Sequence, residues 1–135
     1  MNKQFSHINE HKYMVKGDRN PRSYTVCVDP PDYQVFKTAI SESSLFNTQM
    51  EVTIPIGIAK VNPKDNFCKS IGREVSEKRL FPTHFQVYSV RYEGDNRMVA
   101  FLKGKDQDNN TVCLDFSLRK DRNKPLLIGV NIYKE

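Results

Sequence analysis

The sequence lacks the short motifs that identify a nucleotide-binding loop or a zinc protease. Neither G-x-x-x-x-G-K-[ST] nor G-x-G-x-x-G nor H-E-x-x-H occurs among its 135 residues. It also lacks any run of about eighteen apolar residues, so no membrane span is predicted. The N-terminus is polar and mixed in charge, which predicts no secretory signal. The function therefore has to be inferred from surfaces and not from a known motif.

Cysteine and histidine are scarce as well. Cys27, Cys68 and Cys113 are odd in number and lie among apolar residues. This pattern is typical of reduced core thiols in a cytosolic protein, not of a disulfide or zinc framework. His7 and His11 have a spacing that could place them on one helix face, but no further metal ligands are evident nearby. We therefore predict a cytoplasmic protein with no metal and no cofactor.

Acidic residues offer one arrangement of possible catalytic interest. Carboxylates near a lysine, as in metal-dependent nucleases, could be assembled from Asp106, Asp108, Asp115 and Lys120. However, Asp106 and Asp108 fall in a polar turn, where aspartate is favoured by turn geometry. No acid, base or nucleophile has a visible partner, so the sequence favours a binding protein over an enzyme.

Length and charge set broad limits. A chain of 135 residues is large enough for one domain with a real core, although only 38% of its residues are hydrophobic. Residues 1–22 show little periodicity and are predicted to form an N-terminal arm, followed by a single α+β domain over 23–135. The net charge of +5 and a pI near 9.1 permit contact with nucleic acid or with an acidic protein.

The most strongly marked element is a helix over about 63–80. Asn62 can cap it, Pro63 suits its first position, and Pro82 prevents its continuation. Apolar residues recur at helical spacing on one side, which is predicted to be buried. Lys69 and Arg73 point the opposite way, towards solvent.

Gly72 does not fit this helix, because a glycine in a helix interior costs roughly 1 kcal/mol relative to alanine. The favoured explanation is the close approach of a strand backbone to that side of the helix. The alternative is a small cleft beside Gly72, with Asp65 and Arg79 at its rim.

The rest of the chain is predicted to be mainly strands. Val35, Phe36, Ala39 and Ile40 recur at helical spacing and predict a second short helix at about 32–43. Apolar residues and turn signals predict strands at 24–28, 52–58, 85–92, 98–103, 111–118 and 126–133. Pro55 cannot donate to a ladder, so its strand is predicted to lie at an edge or to carry a bulge.

The predicted fold is α+β, with a four- to five-stranded, mainly antiparallel sheet. Short links between the last strands favour a C-terminal meander. The helix at 63–80 packs on one face of this sheet, and the helix at 32–43 is a second, shorter element. Val99 and Phe101 place apolar side chains on the second face of their strand, which needs a cover or a partner.

Basic residues cluster at two places in the sequence. One group is on the helix and the other is in the last hairpin turn, and they comprise Lys69, Arg73, Arg79, Arg119, Lys120 and Arg122. If both lie on one side, they form a stripe able to follow a phosphate backbone. The alternative is that they serve solubility only. Tyr88, Tyr92 and Tyr133 could add stacking platforms for bases, or could be core residues with a hydroxyl at the rim.

The segment G-I-A-K followed by N-P-K-D-x-F-x-K-x-x-G-R-x-x-x-x-x-R resembles a motif of small uncharacterised bacteriophage proteins. It spans about 24 of the 135 residues. The matching positions are Gly57, Ala59, Lys60, Pro63, Asp65, Phe67, Lys69, Gly72, Arg73 and Arg79. Ser76 departs from the similar proteins, which tend to have alanine there. The resemblance implies a phage accessory protein acting in a bacterial host cytoplasm, and it implies no catalytic residue.

Three functions remain open on the sequence alone. The first is a non-enzymatic protein that binds nucleic acid, or a host protein handling nucleic acid, through the basic residues. The second is an inhibitor of a host enzyme or defence system that acts through an apolar surface including Val99 and Phe101, and that allows a homo-oligomer. The third is a small-ligand binder or enzyme using a cleft near Gly72. None of the three involves a membrane.

Overall fold

The computed structural model describes residues 3–9, 23–46, 51–61 and 69–133. Within these ranges the chain forms seven strands and two helices. In chain order they are β1 (Gln4–Asn9), β2 (Ser23–Val28), α1 (Tyr33–Phe46), β3 (Glu51–Val61), α2 (Lys69–Lys78), β4 (Phe81–Tyr92), β5 (Arg97–Lys105), β6 (Thr111–Arg119) and β7 (Leu126–Tyr133). The beginning predicted for the longer helix, residues 63–68, lies outside the described residues.

All seven strands belong to one sheet, in which each strand pairs antiparallel with the next along the chain. The sheet curls until β1 and β7 are in contact, which makes it nearly closed and barrel-like. Gln4 bridges these two strands. Its side-chain amide donates to the Pro125 carbonyl, and its oxygen accepts from the Leu127 N–H at 2.7 Å. One side chain therefore satisfies two backbone groups at the seam of the sheet.

The predicted sheet of four to five strands is wrong, because the described residues are mostly sheet and form seven strands. Residues 4–9, within the predicted arm, form β1, while residues 10–22 lie outside the described part. The inward positions of β1 are Gln4, Ser6 and Ile8, since these pair with the inward residues of β2. Two of the three are polar, so the apolar alternation that marks a strand in a sequence is missing here.

The interior of the curled sheet is filled by apolar side chains and by one face of α1. Phe36 is fully buried, and its ring centroid lies 5.3 Å from that of Phe116 in β6. Tyr33 and Ile40 join the same buried cluster. The Tyr33 N–H donates to the carbonyl of Asn123 in the β6–β7 turn at 2.7 Å. The helix predicted over 32–43 is thus α1, and it enters the sheet from the end where this turn lies.

The other helix, α2, packs against the outer side of β2 and β3. A Cβ atom at Gly72 would overlap Thr25 Oγ1 and lie 3.0 Å from Thr25 Cβ. At Gly57 of β3, a Cβ would overlap the Ser76 carbonyl oxygen. Glycine at both positions therefore lets helix and strands approach closely. At Gly72 the contact is with the Thr25 side chain and not, as predicted, with a strand backbone.

Pro55 lies in an inner strand and not at an edge, and no register shift interrupts β3 beside it. Its partner in the neighbouring strand β4 is Pro82. The Pro55 carbonyl accepts from the Asp29 N–H at 3.1 Å, just beyond the end of β2. The backbone N and O of a residue in an antiparallel strand point to the same side. An N–H at Pro55 would therefore point towards Asp29, beyond the end of β2, and its absence does not interrupt the pairing of β2 with β3.

Candidate functional site: an aromatic face of the sheet

The basic residues predicted to bind a partner fall into two groups in the structure. Arg73 of α2 is exposed, and its guanidinium lies 5.7 Å from the centre of the Phe5 ring. Arg79 follows α2 and donates from Nη1 to the Ile58 carbonyl at 3.0 Å. The side chain of Lys69 lies outside the described residues. Both arginines therefore contribute to holding α2 against the sheet.

Carboxylates offset much of the charge on α2. The helix contains three basic residues and two acidic ones. Glu74 pairs with Lys78 at 3.1 Å, and Glu77 pairs with Lys3 next to β1. Because these pairs are on the exposed side of α2, the helix does not present an unopposed cationic stripe.

The second basic group lies in the β6–β7 turn. Lys120 and Arg122 are exposed there, while Arg119 donates from Nε to Asp121 Oδ1 at 3.2 Å. Strand β1 lies between this turn and α2. Its residue Gln4 contacts Pro125 of the turn, and its residue Phe5 contacts Arg73 of α2. The structure thus places the two basic groups on either side of β1.

The predicted cleft beside Gly72 is occupied on the sheet side by Thr25. Asp65, the other predicted rim residue, lies outside the described residues. Arg79 lines a different cleft of about 380 Å³, together with Phe81 and Asp108 at the far end of the sheet. Gly72 and Arg79 are therefore not brought together as the rim of one cleft in the described part of the chain.

A different surface stands out on the outside of β4–β7. We call it the outer face, and it consists of the outward side chains Tyr88, Arg91, Phe101, Lys103, Cys113, Asp115 and Tyr133. The alternate residues of these strands, such as Leu102 and Leu114, lie in the buried cluster. Because α1 fills the interior and α2 packs on β2 and β3, neither described helix covers the outer face.

Aromatic rings form one part of the outer face. Tyr88 lies at a bulge, where the register of β4 with β5 shifts between Val87 and Ser89, and such bulges re-aim side chains. Its ring centroid is 6.3 Å from that of Phe101. Tyr88 is 49% exposed and Tyr133 is 52% exposed. The sheet therefore presents rings to solvent where packing does not require them.

Asp115 lies near the middle of this face. It is directly opposite Phe101 in β5 and Gly129 in β7. A Cβ at Gly129 would lie 2.7 Å from Asp115 Oδ2, so the glycine leaves room for the carboxylate. Burial raises the pKa of Asp115, and Arg91 lowers it in part. A half-buried carboxylate with so little compensation destabilises the fold, which is typical of a group retained for function.

Cations border the outer face. Arg91 lies over the Phe101 ring at 5.7 Å and pairs with Glu93 at 2.7 Å. Arg97 donates from Nε to Ser117 Oγ at 3.1 Å. Arg97 and Arg119 are directly opposite each other in the β5–β6 register. Facing like charges are destabilising in an antiparallel pair, but Glu93 pairs with Arg97 and Asp121 pairs with Arg119, so carboxylates already offset part of this charge.

The acid–base properties of the face do not support nucleophilic catalysis. Burial raises the pKa of the Cys113 thiol, even though Lys103 opposes this effect. Burial also raises the pKa of the Tyr88 hydroxyl. A reactive thiol instead needs a lowered pKa. The outer face is therefore suited to binding.

Several features of this face could not be read from the sequence. Val99 is fully buried although it points outward, so of the two predicted apolar contact residues only Phe101 is accessible. Asp106 is a turn residue, whose Oδ1 accepts from the Asn110 N–H at 2.8 Å. Asp115, unlike Asp106, lies within the sheet between Phe101 and Gly129. Only the register of the strands reveals this position.

Comparison with known proteins finds no match to any protein family, curated protein or solved structure. In the described part of the chain, no three His, Cys, Asp or Glu residues form a group that could hold a metal ion. Among the same residues, no helix is both long and apolar enough to cross a membrane. No relative therefore indicates which residues of this chain are functional.

Proposed function

We propose that the protein binds single-stranded nucleic acid on the outer face, without catalysis. The observation that carries this proposal is the pair of rings on the outer face, with Tyr88 exposed and Phe101 partly exposed, bordered by Arg91. Unpaired bases stack on aromatic side chains exposed on sheets, and each stacked base contributes about 1–3 kcal/mol. A duplex keeps its bases stacked inside, so the outer face suits a single strand better than a double helix.

The cations around the rings supply the second requirement. Arg91, Arg97 and Lys103 point to the same side of the sheet as the rings. Arg119, one of the residues predicted to bind nucleic acid, lies opposite Arg97 at the edge of this face. A strand whose bases stack on Tyr88 and Phe101 could pass its phosphates along these side chains. Lys120 and Arg122, in the turn that follows β6, would extend the path.

Asp115 contributes in a different way, because a carboxylate repels phosphate. It can accept a hydrogen bond from an exocyclic amino group, as aspartate does from cytosine. Its position opposite Phe101 would place it at the edge of a stacked base. With the resemblance of residues 57–80 to bacteriophage proteins, we place this binding activity in the cytoplasm of a bacterial host.

Fluorescence anisotropy with a labelled single strand of about 10 nucleotides tests the proposal. We expect binding at low salt that weakens steeply as salt rises. Tyr88→Ala should weaken it about 5- to 150-fold, whereas Tyr88→Phe, which keeps the ring, should retain most of it. Tyr92→Ala is a matched control, because Tyr92 is exposed but points to the opposite side of β4 from Arg91.

Absence of binding at low salt would refute the proposal. An equal loss in the Tyr88→Ala and Tyr92→Ala variants would place binding elsewhere on the molecule. Tighter binding to a duplex of the same sequence would show that base stacking on Tyr88 is not the source of affinity.

A second candidate function is an inhibitor that binds a host protein through the same side of the sheet. The observation in its favour is a pair of exposed aliphatic side chains on β7, Leu126 and Ile128. Aliphatic groups add little to base stacking but are common in the cores of protein interfaces. A partner from bacterial lysate that survives high salt and nuclease, and is lost with Ile128→Glu, would favour this function over nucleic-acid binding.

A further inference from the structure

A cavity of about 440 Å³ lies between α1 and the hairpin that joins β4 to β5. It is distinct from the outer face. Tyr92 and Met98 pair with each other across the hairpin and point inward, and Met98 packs against the buried cluster. Arg91 and Val99, the adjacent pair, point outward. A ligand in this cavity would therefore occupy the mouth of the sheet and leave the outer face free.

The cavity combines an apolar lining with exposed cations. Ile40, Met98 and Leu118 provide apolar surface, and Tyr92 is 69% exposed. Lys37 of α1 also lines the cavity. Pockets for small ligands have this composition, with mostly apolar walls, a few polar groups, and volumes of roughly 300–1,000 Å³.

Two lysines from different elements meet at this cavity. Lys37 comes from α1, and Lys120 comes from the β6–β7 turn. Neither ammonium group makes a hydrogen bond or an ion pair with a described residue, whereas Arg97, which also lines the cavity, is held by Glu93 at 3.2 Å. Asp95 also lines the cavity but forms no ion pair with either lysine, so both ammonium groups are available to an anionic ligand.

Backbone hydrogen bonds tie together the elements that carry these groups. The Lys120 N–H donates to the Asn96 carbonyl at 3.1 Å, which joins the β6–β7 turn to the β4–β5 hairpin. The bond from the Tyr33 N–H to Asn123 joins α1 to the same turn. The hairpin itself is closed by the Glu93 N–H and the Arg97 carbonyl at 2.9 Å. The cavity is thus preformed, which lowers the entropic cost of binding.

We propose that this cavity binds a nucleoside monophosphate. The base would stack on the Tyr92 ring and cover the apolar lining, and the phosphate would lie between Lys37 and Lys120. Stacking suits any base, and phosphate is a dianion near neutral pH that can neutralise two ammonium groups. Lys120 would be shared with the phosphate path proposed for the outer face, whereas Lys37 and Tyr92 belong to this cavity alone.

Isothermal titration with the four common nucleoside monophosphates, at concentrations up to millimolar, tests this site. We expect at least one of them to bind, while adenosine and inorganic phosphate, which each supply only half of the contacts, should bind more weakly. Lys37→Ala and Lys120→Ala should each lower the affinity about tenfold. Tyr92→Ala should also lower it, and Tyr92→Phe should restore it because the ring remains.

Lys124→Ala is the matched control, because Lys124 is an exposed cation in the same turn that lines a different cavity. Tyr88→Ala should leave mononucleotide binding unchanged, and Lys37→Ala should leave oligonucleotide binding unchanged, so the two sites can fail separately. Lack of binding by all four mononucleotides would overturn the proposal. So would affinity that survives in the Lys37→Ala, Lys120→Ala double variant when its urea midpoint matches that of the unmodified protein.

Discussion

The outer side of β1–β3 and the outer side of β4–β7 carry different kinds of residues. Beneath α2 the outward residues of β2 and β3 are small, including Thr25, Cys27, Gly57 and Ala59. They allow α2 to lie directly on the strands, and Cys27 and Ala59 are buried. On β4–β7 the outward residues include large and charged side chains such as Tyr88, Phe101 and Asp115, and no described helix covers them.

This contrast separates a surface shaped by packing from one that packing does not explain. A helix needs small residues beneath it to approach a sheet closely, and β2 and β3 supply them. Tyr88 and Phe101 contribute little to the stability of the fold because they lie on a face that is open to solvent. Asp115 lowers the stability because its carboxylate is partly buried. This difference is the basis for the proposal that the outer face binds a ligand. Four substitutions test this comparison, beginning with the largest expected effect.

Gly57→Ala should destabilise the protein by about 3 kcal/mol or more, because its Cβ would overlap the Ser76 carbonyl oxygen and lie 2.9 Å from backbone atoms of Arg79 and Leu80. Backbone cannot move aside cheaply. Urea unfolding measures the change. Gly129→Ala on the other surface is the control, since it meets only the movable Asp115 carboxylate and should cost less. Equal losses in both variants would contradict a difference in packing between the two surfaces.

Gln4→Ala tests the seam where the two surfaces meet between β1 and β7. It removes both hydrogen bonds of the side-chain amide and leaves the Pro125 carbonyl and the Leu127 N–H without their partner. We expect a loss of about 2 kcal/mol in the free energy of unfolding. Faster hydrogen exchange at Leu127 should accompany it. Unchanged exchange there would show that β7 does not depend on this bridge.

Asp115→Asn should stabilise the protein at neutral pH, by up to about 1 kcal/mol after allowance for partial exposure to solvent. Burial raises the pKa of Asp115 above its ordinary value of 3.8, so the folded state holds this proton more tightly than the unfolded state. The stability from the protonated carboxyl is present at low pH and is lost as the pH rises through the raised pKa. The advantage of the Asn variant should therefore increase above about pH 4.

Urea unfolding at several pH values measures this difference. The same variant should bind the single strand less tightly or with altered base preference, if Asp115 contacts a base edge. An Asn variant that is less stable at neutral pH would show that Asp115 supports the fold.

Arg73→Ala should have the smallest effect. Its guanidinium is exposed over Phe5, so its loss should change the free energy of unfolding by less than about 1 kcal/mol. Oligonucleotide affinity should fall less than about twofold, whereas Arg91→Ala on the outer face should reduce it about fivefold. Anisotropy at one low salt concentration compares the two. A larger loss of affinity with Arg73→Ala would indicate that the oligonucleotide binds to α2 and not to the outer face.

Several elements of the fold can be derived from local sequence. The alternation of Val52, Ile54 and Ile56 marks β3, and the spacing of Phe36 and Ile40 marks α1. Both patterns arise because one side of a regular element is buried. The first strand has polar Gln4 and Ser6 at inward positions, so this signal fails there. The closure of the sheet could not be inferred either, because Gln4 reaches a carbonyl 121 residues later in the chain.

The candidate site shows the same division. Tyr88 and Tyr133 can be named as stacking residues from the sequence, but nothing local separates them from Tyr92, which faces the cavity. Asp115 can be listed among the acidic residues, but its isolation follows from strand register. The basic residues Lys69 and Arg73 stand out in the sequence because they are close together along the chain. The carboxylates that offset the charge of α2 include Glu77, whose partner Lys3 is distant in sequence.

By itself the sequence determined where both helices and most strands lie, because each depends on side chains within a few residues of one another. The tertiary structure decided that seven strands close upon themselves, which side of the sheet α2 covers, and which rings remain exposed. Those outcomes depend on contacts between residues far apart in the chain, and local periodicity carries no information about them.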